Sequence, residues 1–145
     1  MIRPFTLPDL DQILQIELQS FPKSPYDWAT FINLHDLYPE TFLVYTIPAL
    51  GQEESRILGY IVFTKEGHMI SVAVDPHHRR KGIGRELLER AMGTPRLKKL
   101  WAEVRKSNHG ALRFYLRMGF QVTGEIPNYY ETEDALVIEW TPCSL

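Results

Sequence analysis

Residues 71–88 read SVAVDPHHRRKGIGRELL, and this stretch decides the fold. A β-branched, apolar run stops at Pro76, a basic turn with two glycines follows, and Ile83, Leu87, Leu88 and Ala91 then fall on one helical stripe. The first N–H groups of such a helix have no intrahelical acceptor and sit at the positive end of its dipole, so the turn attracts anions. Gly82 and Gly84 lack Cβ atoms and let a phosphate approach the backbone, while Arg79, Arg80, Lys81 and Arg85 add positive charge. The pattern suits a pyrophosphate. It is neither GxxxxGK[ST] nor a dinucleotide fingerprint, because Leu87 stands where the third glycine belongs.

Outward from this turn, the chain alternates strands and helices. A short strand over residues 1–5 precedes a helix over 6–19, with Thr6 as N-cap and Pro8 in the first turn. A second helix starts at Ser24 or Pro25 and ends before Pro39. Residues 42–47, 56–65 and 68–74 are rich in β-branched and aromatic side chains and read as a meander; the third is apolar almost throughout, which predicts an interior position. Residues 48–55 (PALGQEES) read as a hairpin connection. The helix over 82–92 carries Glu86 and Arg90 as an i,i+4 pair, 97–105 is a strand, and Ser107 caps a helix that Gly119 ends. Strands at 120–125 and 134–140 close a mixed α/β chain with a parallel pair expected at a helical crossover.

With 145 residues, 44% hydrophobic and 23% charged, the composition predicts one globular domain over residues 1–145 and excludes a disordered or fibrous chain. A net charge of −2 argues against nucleic acid as a direct partner. The charge is uneven: residues 77–106 hold ten Lys and Arg against three acids, whereas residues 1–76 hold ten acids and four bases. Cys143 is the single cysteine, so neither a disulfide framework nor a cysteine zinc cage can form, and the paired His77 and His78 lack metal-ligand spacing. No metal is expected. The acidic start of the chain and the lack of a long apolar run predict a cytoplasmic protein with no membrane partner, as a monomer or homodimer.

Arg79-x-x-Gly82-x-Gly84, together with LWAEVRKSNHGALRFYLRMGF (100–120) and GEIPNYYETEDALVIEW (124–140), resembles the GNAT superfamily of acetyl-CoA-dependent N-acetyltransferases. Within it the chain is most similar to ribosomal-protein-alanine and other protein N-terminal acetyltransferases. The resemblance implies a mostly antiparallel seven-stranded sheet with a V-shaped splay between strands 4 and 5, flanked by about four helices. It implies acetyl-CoA as cosubstrate, with the pantetheine arm on the backbone of Val72, Ala73 and Val74 and the pyrophosphate on residues 79–85, including Ile83. Asn108 and Ala111 would line the CoA arm, and Tyr115 would place a phenol near the thioester sulfur as general acid.

Strand alternation puts Leu100, Ala102 and Val104 on one face and Trp101, Glu103 and Arg105 on the other. Desolvation of Glu103 would raise its basicity into the range a general base needs. The bland alternative is a structural ion pair with Arg105 or Arg80, and His68 is the rival base. Asn108, Ala111 and Tyr115 share a helix face, and Tyr115 also reads as an ordinary core aromatic beside Phe114.

For the acceptor, the stiff connection carrying Phe21, Pro22 and Tyr26, and the pair Tyr129 and Tyr130 ahead of the last strand, resemble peptide-gripping loops of N-terminal acetyltransferases. Buried-staple and core-lid roles compete with that reading. Glu17, Glu103, Glu131, Glu133 and Asp134 suggest an acidic side that draws in a cationic amine, or acids at 131, 133 and 134 that only solvate a loop. Three functions follow: transfer to a protein N-terminal amine, transfer to a small amine such as a polyamine, amino sugar or amino acid, or a phosphate-binding module without turnover. With Cys143 in the tail, attack is direct rather than through an acyl-enzyme.

Overall fold

The computed structural model describes residues 1–48 and 55–142. The expected connection around residues 49–54 and the tail with Cys143 lie outside the described residues. Among the described residues there are seven strands and four α-helices: β1 (Ile2–Pro4), α1 (Leu10–Ser20), α2 (Trp28–Leu37), β2 (Phe42–Pro48), β3 (Ser55–Phe63), β4 (Met69–Val74), α3 (Ile83–Met92), β5 (Leu100–Arg105), α4 (His109–Arg117), β6 (Gln121–Tyr130) and β7 (Glu133–Trp140). Strands β1-β2-β3-β4 form one sheet and β5-β7-β6 another, so the division falls after β4. A parallel bridge joins His68, just ahead of β4, to Trp101 on β5, which is the parallel pair expected where α3 crosses over. Among the described residues no helix is long and apolar enough to cross a membrane.

The chain divides into two compact units, Met1–Thr64 with Ile70–Gly93, and Lys65–Met69 with Thr94 onward. In the first, β2 pairs antiparallel with β1 and β3, and α1 and α3 both pack on β3. Its core holds Phe5, Ile13, Ile16, Phe31, Phe42, Val44, Tyr60 and Val62. The stripe expected on α3 is the buried one. In the second, β7 runs antiparallel between β5 and β6, and Tyr115 of α4 packs edge-on against Phe120. Leu100, Ala102 and Val104 are buried and their alternates half-buried, as the alternation predicts.

Several local expectations are corrected. Thr6 caps a short 3-10 turn (Leu7–Asp9) rather than α1 itself. The second helix begins at Trp28 with Asp27 accepting from the Thr30 N–H, not at Ser24 or Pro25. Asn108 rather than Ser107 caps α4: its Oδ1 accepts from the Ala111 N–H at 3.2 Å, while the Ser107 N–H and hydroxyl donate to Glu133. On α3 the i,i+4 pair is Arg85–Glu89 at 2.7 Å, not Glu86–Arg90; burial, then the nearby Glu86, raises the Tyr45 phenol. β4 alternates buried and half-buried residues and is the last strand of its sheet, not an interior one. β6 continues to Tyr130, so Asn128, Tyr129 and Tyr130 belong to a strand in hairpin with β7 instead of a loop ahead of it.

Candidate active site

In the first unit, β4 delivers the chain through Asp75 to the turn at residues 79–82. Asp75 Oδ1 accepts from the His77 N–H at 2.9 Å, fixing the exit. Two left-handed residues then reverse the backbone, Arg80 (φ 64°) and Gly82 (φ 82°). Gly82 is the N-cap of α3 and has no side chain to satisfy the first amides of the helix. A Cβ built on Gly82 would meet nothing within 4 Å, so its surroundings are open and it is the left-handed φ that favours glycine there. Arg80 and Lys81 are exposed beside it. Arg79 reaches Ser20 Oγ at 3.4 Å, and Arg85 is engaged with Glu89. Val72 and Val74 are half-buried and Ala73 is buried.

The α1–α2 connection is held from inside the first unit. Glu17 is only 2% exposed and does not contribute to an acidic surface, which corrects that expectation. Its Oε2 accepts from the Tyr26 N–H at 2.9 Å and its Oε1 from the Tyr60 hydroxyl, which lies 2.8 Å from Ser71 Oγ. Burial pushes the Glu17 carboxyl above the usual glutamate range even though these donors oppose the shift. Phe21 is half-buried against the core, as the staple reading has it, while Pro22 and Tyr26 are exposed.

In the second unit, His68 and Glu103 come together: His68 Nε2 lies 2.8 Å from Glu103 Oε2. Arg105 pairs with Glu133 at 3.2 Å and covers the Tyr130 ring at 4.1 Å. The His68 ring stacks on Trp101, centroids 5.1 Å apart and 10° from parallel. Gly67 makes this placement possible: at φ 107° it turns the chain, and a Cβ there would lie 1.8 Å from the Lys99 carbonyl oxygen. The Tyr130 hydroxyl donates to the Glu103 carbonyl at 3.3 Å, and Tyr129, half exposed, stands edge-on to Tyr130. Burial, then the negative charge of Glu103, raises the Tyr129 phenol.

Tyr115 sits on the buried face of α4, and burial, followed by Tyr130, holds its phenol protonated well above the ordinary range. Asn108 and Ala111 use their facing groups on one another in the helix cap. The acids at 133 and 134 have fixed partners instead of merely solvating a loop, since Glu133 holds Arg105 and Ser107 and Asp134 accepts from the Asn128 N–H at 2.9 Å. The His68–Trp101 stack went unread because it joins residues 33 apart in the chain. Glu17 did leave a signal, an acid beside Ile13 and Ile16 on the apolar face of α1.

The arrangement offers an open, uncapped helix start for an anion in one unit and an imidazole–carboxylate pair with a protonated phenol in the other. The family model described as "Acetyltransferase (GNAT) family" matches residues 9–120. An N-acetyltransferase of Methanocaldococcus jannaschii is 36% identical, over 95% of this chain and 89% of its own length. An N-alpha-acetyltransferase of Sulfurisphaera tokodaii is 30% identical, covering 94% of this chain and 90% of its own. Among solved structures, Ard1 from Thermoplasma volcanium superposes with a TM-score of 0.87 at 30% identity, covering 99% of this chain and 98% of that one. On this match and on these relatives, the chain is an acetyltransferase and belongs to the GNAT family.

Proposed function

We propose that this enzyme transfers an acetyl group from acetyl-CoA to the α-amine at a protein N-terminus, working in the cytosol as one domain. The turn at residues 79–85 fits the pyrophosphate of the donor: no side chain caps the start of α3, Gly82 adds none of its own, and Arg80 and Lys81 supply exposed positive charge. The half-buried Val72 and Val74 flank Ala73 on β4, where backbone groups would pair with the pantetheine amides. When bound, acetyl-CoA supplies a thioester whose C–S bond breaks as the new N–C bond forms.

The observation that carries the reading is the His68–Glu103 contact of 2.8 Å. An α-amine with a pKa of about 7.7–8.0 needs only modest help to lose its proton near neutrality. Glu103 accepts that proton, directly or through a water, and His68 holds its carboxylate in place. Tyr115, held protonated, donates to the leaving sulfur. Direct transfer needs no acyl-enzyme. Tyr129 and Tyr130 stand beside Glu103, and Phe21, Pro22 and Tyr26 form the stiff connection that we assign to gripping the peptide. Their aromatic walls suit a chain end. A relative of this length that carries the name N-alpha-acetyltransferase supports the same acceptor.

The test is acetyl transfer to a panel of short peptides differing in their first residue, alanine included, against polyamines, amino sugars and free amino acids, read by CoA release. Turnover on peptides with little on free amines is expected; the reverse preference would replace this acceptor with a small amine. Binding of acetyl-CoA without any release of CoA would leave a ligand-binding module.

A further inference from the structure

The chemistry proposed above does not use Glu17, although this residue is only 2% exposed, on the buried face of α1 with Ile13 and Ile16, and its carboxylate accepts from the Tyr60 hydroxyl. A carboxylate withdrawn from water persists only when donors surround it. Those donors come from the far end of the α1–α2 connection and from β3. Oε2 takes the Tyr26 N–H at 2.9 Å, and the Glu17 main-chain carbonyl takes the Phe21 N–H at 2.8 Å. The main-chain bond closes α1 at the near end whichever residue stands at 17, and the Glu17 carboxylate holds the far end of the 21–26 segment at Tyr26.

Oε1 ties the same residue to β3 through the Tyr60 hydroxyl, and Tyr60 reaches Ser71 on β4, the residue before Val72. The rings of Tyr26 and Tyr60 both meet Phe31 edge-on, at 6.0 and 5.6 Å, so the polar tie has an aromatic backing. An apolar side chain at position 17 would fill the core equally well but would leave the Tyr26 N–H and the Tyr60 hydroxyl without their acceptor. The geometry thus serves the placement of an exposed segment more than the filling of a core.

We propose that Glu17 is a positioning residue for acceptor choice: it fixes the spacing of Phe21 and Tyr26 and registers them on β3 and β4, so that the segment admits some N-terminal residues and rejects others. This rests on the reading of residues 21–26 as the acceptor-gripping segment.

The experiment is steady-state kinetics of the full chain, of Glu17→Gln and of Phe21→Ala on the peptide panel, with circular dichroism to confirm folding. Glutamine keeps the shape but replaces one acceptor oxygen by a donor. Glu17→Gln should raise the peptide KM about tenfold and flatten the preference among first residues, with the acetyl-CoA KM within about twofold of the parent. If folded Glu17→Gln keeps the parent KM and preference while Phe21→Ala raises the peptide KM, the role of Glu17 is overturned and the segment keeps its own. If Phe21→Ala also leaves the peptide KM unchanged, the segment reading falls and takes this inference with it. Amide exchange on the unmutated protein covers the case of a variant that does not fold. The Tyr26 amide should be protected as strongly as the α1 amides, and exchange at an open-loop rate would overturn the assignment.

Discussion

Glu103 and His68 share one contact, so substitution of each separates the base from its support. Glu103→Gln keeps the size of the side chain and its contact with His68 but removes the proton acceptor. It should lower kcat by about 10²-fold or more, with the acetyl-CoA KM nearly unchanged, as measured by CoA release. His68→Ala should cost less if Glu103 is the base; a loss larger than that of Glu103→Gln would hand the role to the imidazole. Tyr115→Phe removes only a hydroxyl and should likewise lower kcat by about 10²-fold, whereas parent-like kcat in a folded variant would reduce Tyr115 to a core aromatic. Strand alternation put Glu103 on the half-buried face of β5 without knowledge of the rest of the fold, whereas the part proposed for Tyr115 came from the family resemblance. The partner of Glu103 was not legible, since His68 lies 35 residues away and nearby Arg105 offered an equally good local ion pair. That arginine is drawn off by Glu133 and the Tyr130 ring, which only the hairpin of β6 and β7 brings within reach.

The caps show the same limit at the scale of elements. Ser107 and Asn108 are both good cap residues, and Glu133, 26 positions on, decides between them by taking the Ser107 hydroxyl and N–H. Asp27 likewise prevails over Ser24 and Pro25, since the Tyr26 N–H is already committed to Glu17. Helix α1 is bracketed by two buried carboxylates that titrate in opposite senses. Burial works against the charge of Asp9, but the Arg3 fork at 2.7 and 2.9 Å and the Thr6 N–H and hydroxyl outweigh it, leaving the carboxyl below its ordinary range. Its contribution is therefore present above the unfolded value of about 3.9 and is lost as the pH falls through the folded value. For Glu17 the folded value is raised, so its contribution is present below the unfolded value of about 4.3 and is lost as the pH rises through the raised one. Melting temperature against pH should show a smaller acid-side loss in Asp9→Asn and a smaller decline from acid toward neutral pH in Glu17→Gln. A Glu17→Gln profile parallel to the parent over that upper window would contradict the raised carboxyl.

At the scale of the whole molecule, the order of strands and helices was readable from periodicity and turn residues, because α1, α3, β4 and β5 each bury one stripe or alternate face and that pattern is local. What sequence left open was where one group of contacts ends and the next begins. The chain passes between the two units three times, and β4 belongs to both, with Met69 in the second and Ile70–Val74 in the first. We therefore expect residues 1–145 to unfold as a single domain in one cooperative transition. In a urea titration followed by amide resonances, Ile13 and Tyr60, buried in the first unit, should lose their native signals at the same midpoint as Leu100 and Ile138, buried in the second. Midpoints separated by more than the width of the transition would show instead that the units fold independently, and the one-domain reading would fail.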